Sequence, residues 1–265
     1  MFDRFNRRIN YLRLSVTDRC NLRCAYCMPP EGVPLYNHDD LLTLEEIRDF
    51  TAIAVAMGID KVRLTGGEPL LRRGIADLVG MLAALPGIRD LAMTTNGTLL
   101  ARNAHALRQA GLQRINISLD SADPERYAEI TRGGKLSQVL AGIEVAREAG
   151  FERIKLNCVI EQSPDEADAR SVARFGKEQG LEARFIHRMQ TEKGIFSQVV
   201  GGDGGHCATC NRLRLSSTGL LYPCLFSNQS LSIRQLGARQ AIEAAVEAKP
   251  ESGRTSHHLF SQMGG

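Results

Sequence analysis

Tyr11-Leu12-Arg13-Leu14-Ser15-Val16-Thr17-Asp18-Arg19-Cys20-Asn21-Leu22-Arg23-Cys24-Ala25-Tyr26-Cys27 joins a β-rich run to three closely spaced cysteines. Their C-x3-C-x2-C spacing supplies three thiolates where a [4Fe–4S] cube needs four ligands, so one iron is left open to a non-protein ligand. Radical chemistry with S-adenosylmethionine (SAM) fits that vacancy. A structural zinc site would take paired C-x2-C arms and four ligands, and buried thiols have no reason to crowd one short loop.

Outward from this loop the chain alternates short β-rich runs with helical ones. Strands are expected at Tyr11–Val16, Lys61–Thr65, Leu91–Thr95, Arg114–Leu119, Arg153–Ile160 and Arg184–Ile186. The clearest helix begins at Thr43, where Thr43 and Glu46 form a capping box, and stops at Gly58. Gly111, Gly150 and Gly180 hold equivalent places before later strands. Strands separated by helices imply parallel β/α units. Six such units suit an open, partial TIM-like barrel, whose function gathers on loops beyond the C-terminal strand ends. The cysteine loop follows the first strand and falls there.

At 265 residues and 43% hydrophobic content, the chain can bury one sizeable core, as a single large domain or a domain with an extension. A net charge of +3 with 24% charged residues is too mild to argue for nucleic acid or a membrane surface as partner. No apolar stretch reaches the ~20 residues of a membrane helix. Met1-Phe2-Asp3-Arg4-Phe5 lacks the apolar core of a signal peptide. Of the 7 cysteines, six fall in two tight sets and Cys158 sits in an apolar run, a pattern of metal binding in a reducing compartment. The expected location is cytoplasmic.

Beyond Met189 the composition shifts, and Gly201-Gly202-Asp203-Gly204-Gly205 leads to the second set, Cys207, Cys210 and Cys224. We place the domain boundary so that residues 1–190 form the barrel and 191–265 the C-terminal region. One helix is expected over Ser232–Ala248, ended by Pro250. The second set again offers three thiolates, open to a second cluster or to a zinc ion with His206 or His187 as fourth ligand. Asn211-Arg212-Leu213-Arg214 follows directly, and Arg favours bidentate contacts to phosphate or carboxylate.

Taken together, these motifs resemble the GTP 3′,8-cyclases of molybdenum-cofactor biosynthesis, radical-SAM enzymes with two [4Fe–4S] clusters. The resemblance runs through residues 11–20, Arg63 to Leu70, Thr94-Thr95-Asn96-Gly97, Ser118-Leu119-Asp120, Ile130 to Gly134, Cys207 to Phe226 and the terminal Gly264-Gly265. It implies that Cys20, Cys24 and Cys27 hold the catalytic cluster and Cys207, Cys210 and Cys224 the second. It further implies that Tyr26, Gly67, Glu68, Ser118 and Met189 form the SAM pocket. GTP is then held by Arg13, Arg63, Thr94, Lys155 and Arg212 to Arg214, with Leu213 between, and the Gly-Gly tail enters the active site. Lys61 and Arg184 fall on the same face. An electron donor such as a flavodoxin or ferredoxin is the implied partner, and the sequence leaves monomer or homodimer open.

Two features depart from the family pattern. The join from Met189 to Cys207 is shorter than is typical, and His187-Arg188-Met189-Gln190 replaces an acidic, proline-containing version. They keep in play a radical-SAM maturase acting on a peptide or another metallocofactor precursor. A non-catalytic Fe–S or zinc protein is a third reading, which Gly66-Gly67-Glu68 and the open-iron spacing oppose.

Overall fold

In Lys61–Thr65 the buried Val62 and Leu64 alternate with Lys61 and Arg63, and Arg114–Ser118 repeats the pattern with Ile115 and Ile117. Parallel strands covered on both faces read as continuous apolar runs. Strict alternation therefore means that one face meets helices and the other lines something polar. The computed structural model, which describes residues 1–258 and Met263, shows this arrangement.

Six parallel strands follow one another in chain order: β1 (Tyr11–Ser15), β2 (Lys61–Thr65), β3 (Asp90–Thr95), β4 (Arg114–Ser118), β5 (Ile154–Ile160) and β6 (Glu182–His187). Between them run α1 (Leu44–Ala56), α2 (Ile75–Ala83), α3 (Leu100–Gln109), α4 (Pro124–Thr131), α5 (Leu136–Glu148) and α6 (Ala167–Glu178). The α/β chain is thus a partial (β/α)6 TIM-like barrel. Leu12, Leu14, Val62, Leu64, Leu91 and Met93 face outward and join Phe50, Leu78, Leu82 and Leu107 in one apolar core. Each such side chain is worth about 1.5–3 kcal/mol when buried. A one-residue slip would exchange Leu12 and Leu14 for Arg13 and Ser15, so the register is firmly fixed.

The capping box of α1 is present: Glu46 N donates to Thr43 Oγ1 at 3.1 Å and Thr43 N to Glu46 Oε2 at 2.8 Å. α1 ends before Gly58, whose φ of +107° is the left-handed backbone expected there.

The chain after β6 rejoins the same sheet. β7 (Arg212–Leu215) pairs parallel to β1, on the side opposite β2, and β8 (Leu220–Tyr222) and β9 (Leu231–Ser232) continue antiparallel. The single helix expected over Ser232–Ala248 is two: α7 (Ile233–Leu236) and α8 (Ala238–Glu247). Gly237, with φ +77° and ψ +154°, breaks the helical path between them. Arg234 on α7 donates to Glu46 and to the carbonyls of Asp40 and Leu41, tying this region to α1. Among the described residues no helix is long and apolar enough to cross a membrane.

Candidate active site

The inward-facing residues of the strands meet in register. Arg13 on β1 lies opposite Arg63 on β2 and opposite Arg214 on β7, so three guanidinium side chains stand side by side on adjacent strands. The next row brings Arg212, Tyr11 and Lys61 together, and farther round the barrel Thr94, Asn116 and Lys155 form another row. All of these side chains except the fully buried Asn116 line a cavity of about 1290 Å³ on the concave face. Both cysteine sets open onto it.

Crowding and burial tell on the arginines. Burial, followed by Arg214, pushes Arg13 down to about 9, and burial pushes Arg63 and Arg214 down to about 10. Asn116, with its amide oxygen toward Arg63, accepts from both Nη atoms at 2.8 and 3.2 Å. Thr94 Oγ1 is buried with no hydrogen-bond partner among the described residues. It is a polar atom that a ligand in the cavity can satisfy.

The first cysteine loop is held from several sides. Cys27 N and Met28 N both donate to Cys24 O, and Ala25 N donates to Ile130 O. Arg132 Nη1 donates to the carbonyls of Arg23 and Met28, at 2.9 and 2.8 Å. Tyr26 Oη donates to Asp120 Oδ2 at 2.8 Å, while Val159 N donates to Asp120 Oδ1 at 2.8 Å. Burial raises Asp120 to about 6. Burial, then Asp120 and the neighbouring thiols, pushes Cys24 up to about 12; burial, then Cys20 and Asp120, pushes Cys27 up to about 11.

Gly66 and Gly67 act here through the chain itself. A Cβ at Gly67 would lie 2.2 Å from Arg19 O, and one at Gly66 2.6 Å from Thr17 O. Their smallness lets this turn dock on the segment leading into Cys20, with Gly67 N donating to Thr17 O and Glu68 N to Arg19 O. Glu68 is fully buried and accepts from Leu70 N at 3.0 Å, Thr95 Oγ1 at 2.7 Å and Asn96 N at 2.7 Å. Asn96 Nδ2 in turn points to Cys20 Sγ, at 3.9 Å.

In the second set, Cys210 N donates to Cys207 O at 3.1 Å and Phe226 N to Cys224 Sγ at 3.4 Å. Burial pushes Cys210 up, but Lys249, the Arg212 backbone N–H, Arg212 and Arg214 together bring it below the usual thiol range. His187 Nε2 lies 3.1 Å from Gln162 O and His206 Nε2 2.6 Å from Gln198 Nε2. Among the described residues no three Cys, His, Asp or Glu side chains converge as a single-ion site. Each set offers three thiols, and thiolate donors fit an Fe–S cluster that keeps one iron open.

Of the other expected site residues, Gly67, Ser118, Met189, Lys155, Arg212, Lys61 and Arg184 line the cavity with the cysteines, Tyr26, Arg13, Arg63, Thr94 and Arg214. Leu213 does not: its side chain is 1% exposed in the apolar core, and only its backbone lies between the two arginines. Gly264 and Gly265 lie outside the described residues. Sequence reading missed Asp120, Asn96, Asn116 and Lys249. Asp120 and Asn96 stood within quoted motifs; nothing local marks Asn116 or Lys249.

Comparison with known proteins accords with this geometry. Residues 14–175 match the radical SAM superfamily and residues 155–255 match the Molybdenum Cofactor Synthesis C family. The GTP 3′,8-cyclase of Alkaliphilus oremlandii is 40% identical over 320 aligned positions, covering 100% of both chains. That of Moorella thermoacetica is 39% identical over 323 positions, again covering 100% of both. Against 265 residues here, the 320 positions of the first alignment leave at least 55 (320 less 265) without a counterpart in this chain. Native anSMEcpe with bound AdoMet superposes with a TM-score of 0.63 at 14% identity, over 91% of this chain and 81% of that one, a likeness of fold.

Proposed function

The chain belongs to the radical SAM superfamily and, within it, to the GTP 3′,8-cyclase family, and from that premise we propose that it converts GTP to (8S)-3′,8-cyclo-7,8-dihydroguanosine 5′-triphosphate in molybdenum-cofactor biosynthesis. The observation that carries this reading is the row Arg63–Arg13–Arg214, lining one cavity together with two three-cysteine sets. A triphosphate set against this row meets three cations at once, and bidentate contacts to phosphate are what guanidinium groups make best.

Cys20, Cys24 and Cys27 would hold the catalytic [4Fe–4S] cluster, and Tyr26, Gly67, Ser118 and Met189 would surround SAM beside it. When bound, that cluster and SAM supply a 5′-deoxyadenosyl radical able to remove a ribose hydrogen. The rest of the task falls to the chain's own residues. Arg13, Arg63, Lys155, Arg212 and Arg214 hold the triphosphate, Thr94 offers its unsatisfied hydroxyl, and the Leu213 backbone keeps the two arginines on one face. Glu68 acts through Thr95 and Asn96, fixing the turn against the cysteine loop. Cys207, Cys210 and Cys224 would hold a second [4Fe–4S] cluster at the guanine end, where residues between Thr191 and Gly253 contribute to the cavity wall. Fixing both ends of GTP brings ribose C3′ and guanine C8 together, and positioning of this kind is a large share of rate enhancement. Reducing electrons would come from a flavodoxin or ferredoxin.

The test is anaerobic reconstitution with SAM and a reductant, followed by product analysis with GTP and with other nucleoside triphosphates. GTP-specific formation of the cyclic product is expected. SAM cleavage without any cyclic product from GTP would overturn the reading and favour another substrate.

A further inference from the structure

Lys249 follows α8 and is 1% exposed. Its Nζ donates to Arg212 O at 2.7 Å and to Pro223 O at 2.8 Å. The first carbonyl lies two residues after Cys210 and the second belongs to the residue before Cys224. The Cys210 side chain also favours the charged ammonium. Two carbonyls satisfy hydrogens but bring no charge. The groups whose negative charge favours the ammonium are Cys210 and Cys224, and no carboxylate is among them.

Arg7 makes an instructive contrast on the other side of the same set. It donates to Cys207 O at 2.8 Å, Pro250 O at 2.6 Å and Glu251 O at 2.9 Å, and is paired with Asp3 at 2.7 Å. Asp3 neutralises Arg7, which therefore works as a backbone clamp. Burial pushes the Lys249 ammonium down, and Cys210 and Cys224 act against that burial, which is how a buried charge is offset.

We propose that Lys249 is a positioning residue for the second cysteine set: it holds the turns carrying Cys210 and Cys224 and places a fixed positive charge beside their sulfurs. The proposal rests on the reading that these cysteines hold a second cluster. A positive charge beside a cluster favours its reduced form, because hydrogen bonds and net charge at the sulfurs set the potential.

The experiment uses full-length protein reconstituted anaerobically as wild type, Lys249→Arg and Lys249→Met. Iron is counted, and the electron paramagnetic resonance signal that SAM does not perturb is followed through a reductive titration. Two cubes give about eight irons in the wild type. Lys249→Met is expected to make the second cluster harder to reduce by about tenfold in the one-electron equilibrium, ~59 mV, while Lys249→Arg keeps most of the wild-type value. If Lys249→Met fails to assemble the second cluster, rescue of the iron content by Lys249→Arg supports the proposal and its absence overturns it. A Lys249→Met protein with about eight irons and an unmoved potential overturns it while leaving the two-cluster reading intact. About four irons in the wild type would instead overturn that reading, and this proposal with it.

Discussion

Cys20, Cys24 and Cys27 stand among acids, with Asp120 and Glu68 acting on them, whereas Cys210 and Cys224 stand among Lys249 and Arg214. Both sets line one cavity and have the same number of thiols, so the difference lies in what each is built to face. SAM carries a sulfonium cation, and an acid-leaning surround favours it. GTP carries a polyanion, and the cationic row from Arg63 to Arg214 favours that. The two sets thus differ in the charge around them, and perturbed pKa values of this kind cluster at functional sites.

The sharpest way to break this comparison is to remove one set at a time. Replacing Cys20, Cys24 or Cys27 by Ala is expected to abolish reductive SAM cleavage altogether, measured as 5′-deoxyadenosine released. Replacing Cys207, Cys210 or Cys224 is expected to leave slow SAM cleavage but no cyclic product. If both series lost SAM cleavage equally, the division of labour between the sets would be wrong.

Arg214→Ala is expected to weaken GTP binding by about 1–3 kcal/mol, the scale of hydrogen bonds to charged groups. Arg212→Ala should cost less of that range, because Arg212 is more exposed and already donates to Asp203 O at 3.2 Å. SAM affinity should stay unchanged in both. Calorimetric titration of each ligand checks the split, and equal losses for SAM and GTP would count against the charge partition.

Glu68→Gln tests the other end. Three donors converge on this carboxylate, and an amide can accept with only one of its two terminal atoms. The expected loss is about 1–3 kcal/mol of stability, measured by denaturation. It should come with slower SAM cleavage, since Asn96 and Cys20 depend on the same turn, while GTP affinity holds. Unchanged stability would show that Glu68 is not needed for that turn.

Much of this barrel was legible because its strands alternate so strictly. In β2, β4 and β5 the apolar positions that face the helices are the ones that locate the strand, and the polar positions between them are the site. The capping box at Thr43 and Glu46 was readable for a similar reason: both partners lie within four residues. Parallel pairing of β7 with β1 was not legible, since the pairing joins residues about two hundred apart and leaves no local period. Lys249 and Arg7 escaped notice because they act on backbone carbonyls, which no residue pattern announces. Leu213 shows what a motif alone hides, since strand alternation turns its side chain into the core and leaves its backbone between the two arginines.

The smallest expected effect concerns charge already spent within the cavity wall. Glu182 pairs with both Lys155 and Arg184, with Nε of Arg184 at 2.6 Å, and its carboxylate is 46% exposed. Exposed pairs of this sort are worth about 0.2–1 kcal/mol, so Glu182 dampens two cations at the edge of the arginine row without silencing them. Glu182→Gln should therefore tighten GTP binding by a few tenths of a kcal/mol up to about 1 kcal/mol, the reverse of the two arginine substitutions. The gain should shrink as salt is added, because screening acts on exposed charges first. Titration of GTP at low and at moderate ionic strength measures both. Weaker binding after the substitution would mean that Glu182 holds Lys155 and Arg184 in the orientation GTP needs, and that at this edge of the cavity geometry outweighs charge.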